Sequence, residues 1–97
     1  MGIYSSQAAA CNEQLDSAIS KLNAVKANQE GALSKLGDNQ DVLAEGISKS
    51  CTPISSKIDT AIATINSLKS SISSKAAELD AALEEEERRR REAENNN

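Results

Sequence analysis

Histidine, phenylalanine and tryptophan are absent from this 97-residue chain, and tyrosine and proline occur once each. Without an imidazole there is no ordinary base for a serine or cysteine nucleophile and no nitrogen ligand for zinc. A single aromatic ring gives no stacking platform for nucleobases. The serines are many, but none sits in a Gly-x-Ser-x-Gly elbow. Gly37-Asp38-Asn39-Gln40-Asp41 has the acids of a calcium loop but not its Asp/Asn alternation or its closing Glu. The expectation is a protein that is not an enzyme and carries no cofactor and no metal. Asp16, Asp59 and Asp80 read as solvated acids on helix surfaces.

Other classes fall with the charge and the long-range hydropathy. Fifteen acidic against eleven basic side chains leave a net charge of −4, too mild to point to nucleic acid. No stretch approaches 18 apolar residues, so no membrane insertion is expected. Met1-Gly2-Ile3-Tyr4-Ser5-Ser6 has neither the basic start nor the apolar run of a Sec signal peptide, and the expected location is the cytoplasm, with secretion open only to a route that takes signal-less substrates. Eight Ile, eight Leu and two Val are all the large aliphatics there are, about 19 per cent of the chain, at the edge of what sustains a core. Such a chain needs a partner.

What is present is periodicity. Apolar residues recur at alternating spacings of four and three from Tyr4 through Ala8, Cys11, Leu15, Ala18 and Leu22 to Leu36, and again from Cys51 through Ile54, Ile58, Ala61 and Ile65 to Ala82. Both are heptad seams. Gly37-Asp38-Asn39 reads as a helix stop, and Thr52-Pro53 as an N-cap with proline in the first helical position. The fold class is therefore all-α: an antiparallel two-helix hairpin in one domain, 1–97. Helix 1 covers about 3–36, a short helical or irregular connector 37–52, helix 2 about 53–92 and a frayed end 93–97. Val42, Leu43 and Ile47 offer the material for a third short helix in the connector. Both cysteines, Cys11 and Cys51, fall on the seams as small buried hydrophobes and are expected unbridged.

An internal repeat supports the pairing. Leu15–Lys26 aligns with Ile58–Lys69 with five of twelve positions identical. Antiparallel pairing of residues whose numbers add to 83 sets large side chains against small ones, Leu22 against Ala61 and Cys11 against Ile72, as close packing requires. It also brings Asp16 toward Lys69 and Lys26 toward Asp59. The rival register, adding to 90, sets Leu15 against Lys75 and is rejected. In the preferred register the chain beyond Leu83 has no facing helix, and Glu84–Glu87 followed by Arg88–Arg91 places each Glu four residues before an Arg. Such pairs contribute about 0.2 to 0.5 kcal/mol each, so the tail projects as a helix of its own.

With Leu15 and Ile58 as a positions, the g positions are polar throughout, and the e positions include Ile19, Leu33, Ile62, Ala76 and Leu83. In an antiparallel pair the e residues of both helices share one edge, so these five are the expected partner-binding residues.

A signal-less chain of this length, poor in aromatics, folding as a hairpin with a helical tail and with Leu36-Gly37 where a Trp-x-Gly turn would lie, resembles the WXG100-like small proteins of type VII secretion. More narrowly it is similar to the small helical helpers that accompany LXG toxins. The resemblance implies a non-catalytic partner and targeting protein, chaperone-like, that binds the helical domain of a larger toxin, alone or with a second small helical protein, and helps its export. The alternative is a homodimeric structural scaffold, two hairpins joined at their apolar edges in a four-helix bundle.

Overall fold

The computed structural model describes residues 2–35 and 42–96. Among them there are two helices and no strand: α1, Ile3–Lys35, and α2, Val42–Asn95. The all-α hairpin is the observed architecture, its helices antiparallel. Contacts divide the chain into two compact units, one of Met1–Gln14 with Ser67–Asn97 and one of Leu15–Asn66, so that each unit pairs a segment of α1 with a segment of α2.

Helix 2 starts earlier than Thr52-Pro53 suggested. Residues 42–52 are the first turns of α2, and Pro53 lies inside it. An interior proline removes one i to i−4 hydrogen bond and crowds the preceding turn. Here the turn before it gains side-chain bonds to the backbone, Ser50 Oγ donating to the Gly46 carbonyl at 3.1 Å and Thr52 Oγ1 to the Ser48 carbonyl at 3.0 Å. Ile47 and Cys51, four residues apart, are half-buried on one face and tie that turn to the fold. No third helix forms from 42–50, and Leu43 is 62% exposed. Of the expected connector 37–52, residues 37–41 lie outside the described residues and 42–52 belong to α2. At the other end α2 continues to Asn95, past the expected 92, and Asn96 N–H still donates to the Glu92 carbonyl at 3.1 Å.

The register agrees with the pairing read from the sequence. Within the first unit Tyr4 and Ser5 meet Asp80, and Asn12 meets Lys69 and Ser73; within the second Lys26 meets Asp59 and Gln29 meets Ser55. These partners' numbers add to between 81 and 85, and the register adding to 90 is excluded. The face that pairs is different. Half-buried or buried positions on α1 run 5, 8, 12, 15, 18, 19, 22, 26, 29, 33, and on α2 47, 51, 55, 58, 61, 62, 65, 69, 72, 76, 80, 83, 85. The a positions are kept except Leu79, which is exposed; Ala18 and Ala61 hold their expected d places half-buried, while the other expected d positions of the two seams have given way to the e positions beside them. The core is thin: among the described residues Ala8, Ile58 and Ala76 are the buried apolar side chains.

Candidate functional site

The seam owes its face to polar chemistry. The first four N–H groups of an α-helix have no partner within it. The first turn of α1 holds no acidic residue, and Gly2, in the cap position with its carbonyl accepting the Ser6 N–H at 3.0 Å, has no side chain to offer. Asp80 of α2 supplies the cap instead. Its carboxylate accepts the Tyr4 and Ser5 N–H groups, each at 2.9 Å, and the Ser5 hydroxyl at 2.6 Å. A β-carbon on Gly2 would collide with that carboxylate, so glycine is required by the approach of Asp80. The Ser5 hydroxyl first, then the two N–H groups, hold the Asp80 carboxyl below the ordinary carboxylate range, against the opposing effect of burial. Asp80 is the buried charge of the first unit, not a solvated surface acid.

Other polar pairs sit on the same row. Asn12 Nδ2 donates to Ser73 Oγ at 3.0 Å and to the Lys69 carbonyl at 3.4 Å. In the second unit Ser55 Oγ donates to Gln29 Oε1 at 3.1 Å and Lys26 Nζ to Asp59 Oδ1 at 2.6 Å, the latter as the register implied. The Asp59 hydrogen bond raises the Lys26 pKa, with its charge adding to the effect. Each of these bonds needs the e position turned inward.

Of the expected partner-binding residues, Ala76 is buried and Ile19, Leu33, Ile62 and Leu83 are half-buried within the chain itself. Apart from Ile3 and Leu43, the exposed large apolar residues are ones expected inside the seam. In the first unit Tyr4, Leu68 and Leu79 are 36%, 48% and 38% exposed and Cys11 is exposed; in the second Val25 and Ile54 are each 45% exposed and Ala32 is exposed. In the first unit this edge is concave. Tyr4, Cys11, Ile72 and Leu79 stand around a floor of Ala8 and Ala76, an open groove of about 330 Å³ with Gln7 and Lys75 at its rim. Both cysteines are free thiols, Cys11 exposed rather than in the core.

In the tail, Arg89 and Arg90 reach back four residues to Glu85 and Glu86, as the spacing predicts, while Arg88 turns to Glu85 at three residues. Residues 86–96 are exposed throughout. No helix among the described residues is long and apolar enough to cross a membrane, and no three His, Cys, Asp or Glu side chains among them gather as metal ligands would. Comparisons with protein-family models, curated proteins and solved structures give no match to this chain.

Proposed function

We propose that the chain is a non-catalytic helical partner protein that binds the helical domain of a larger protein along its exposed apolar edge. One observation carries this: large apolar side chains stand in water on one edge of each unit, while the neighbouring row that turns inward mixes apolar residues with hydrogen-bonded polar groups. Isolated exposed apolar residues are ordinary, but several on one edge beside a groove with an alanine floor fit the apolar face of another helix. The resemblance to small helpers of type VII secretion supports a toxin as the larger protein and export as the purpose of the pairing.

The test is co-expression with the product of a neighbouring long reading frame that begins with a helical domain. Leu79→Asp in the first unit and Val25→Asp in the second should each leave the isolated chain helical and reduce complex formation at least about tenfold, as an unpaired charge in an apolar interface requires. Complexes unaffected by both substitutions would refute the edge as the binding surface.

A further inference from the structure

The sequence supports two seams that share the a positions Ala8 and Ile72, and in the first unit only one is in use. The row in use is Ser5, Asn12, Ser73 and Asp80, joined by hydrogen bonds; the row left in water is Tyr4, Cys11, Leu68 and Leu79. Ala8 and Ile72 belong to both. At 100° per residue, the middle of the a/d face lies about 50° around the helix from the middle of the a/e face. A turn of each helix by that amount exchanges the rows while the shared positions stay inside.

We propose that the Asp80 carboxylate, seated on the first turn of α1, is a latch that holds this end of the hairpin in the polar-seam state and so keeps the apolar groove open to a partner. The proposal rests on the reading of that groove as a partner surface, and adds its regulation. Three features make Asp80 the controlling contact. It makes three cross-helix hydrogen bonds where the Asn12 amide makes two. It supplies the only cap that α1's first turn finds among the described residues, at the end where the helix dipole favours an anion. Gly2 leaves the space it occupies, and no wider side chain fits there while it is seated. With the latch removed, the turn is opposed by the two Asn12 hydrogen bonds and by the exposure of Ala76 and Leu83, and it is favoured by the burial of the more numerous side chains Tyr4, Cys11, Leu68 and Leu79 against each other. The groove closes because its walls become the seam.

The chain carries its own reporters of the two states. Cys11 and Tyr4, the single aromatic residue, lie on the exchanged row, and Cys51 lies on a shared a position of the other unit. Site-resolved alkylation of the folded wild-type chain should label Cys11 faster than Cys51. In Asp80→Ala the helical circular dichroism should persist, Cys11 labelling should slow about tenfold, corresponding to a rotated population of about nine in ten, and acrylamide quenching of Tyr4 should weaken in parallel. Binding of the helical partner should fall with them. A helical Asp80→Ala chain with unchanged Cys11 and Tyr4 accessibility would overturn the latch. Should that variant unfold instead, Gly2→Ala decides: it displaces the carboxylate without touching either row, and it must slow Cys11 labelling or the proposal fails. Both reporters are read without a partner. A slowed Cys11 with undiminished partner binding would therefore keep the latch and refute the groove as the binding surface.

Discussion

Asp80 illustrates how one residue sets which way a helix faces. An acid amid Ala77, Glu78 and Ala81 carries no mark in the sequence that separates it from Asp16 or Asp59, because its partners are backbone N–H groups seventy-five and seventy-six positions away. The one signal was negative: α1 begins with a glycine cap and no acid in its first turn, a helix end lacking a local partner. Because the folded state lowers the Asp80 pKa, its stabilisation is complete above the unfolded value of about 3.9 and is lost as the pH falls through the lower folded value. Thermal melts of wild type and Asp80→Ala should therefore differ at pH 7 and converge below about pH 4. A gap that persists undiminished at pH 2.5 would mean that the carboxylate's charge is not what the cap uses.

At the scale of the element, the two rows make opposite predictions for two substitutions of the same kind. Ile62, at an e position, is half-buried in the seam, so Ile62→Asp should destabilise the isolated hairpin; Leu68, 48% exposed, should accept Asp with little change in stability. Urea titrations followed by circular dichroism separate the two. Ile58 is 7% exposed, and Ile58→Ala should cost about 2 to 3 kcal/mol, the low end of the range for such truncations, because its neighbours are themselves half-exposed and can close in. The start of α2 carries a similar lesson. Thr52-Pro53 has the form of a helix start, yet the turns before it are held by Ile47, Cys51 and two side-chain bonds to the backbone, none of which a local motif reveals.

For the whole molecule, the buried apolar side chains among the described residues are Ala8, Ile58 and Ala76, and so thin a core bears on stability. The urea m-value of the isolated chain should be low for its length, since m follows the surface exposed on unfolding. A helical partner present at a hundred times its Kd should stabilise the chain by about 2.7 kcal/mol, read as a rise in Tm that grows with partner concentration. A tight self-association in sedimentation that no helical partner disturbs would instead favour the homodimeric scaffold.

The amino-acid sequence by itself determined the helical class, the two long helices and their antiparallel register. These follow from the spacing of apolar residues and from large residues meeting small ones, which are properties of the chain read along its length. Tertiary structure alone decided which of two adjacent rows faces inward. Hydropathy ranks Tyr4, Cys11, Val25 and Leu68 above Ser5, Asn12, Lys26 and Lys69, and so assigns the first set to the seam. The hydrogen bonds of Ser5, Asn12, Lys26 and Gln29 to Asp80, Ser73, Asp59 and Ser55 reverse that order. A polar side chain belongs inside only once its partner is in place, and that partner exists only after the helices have met.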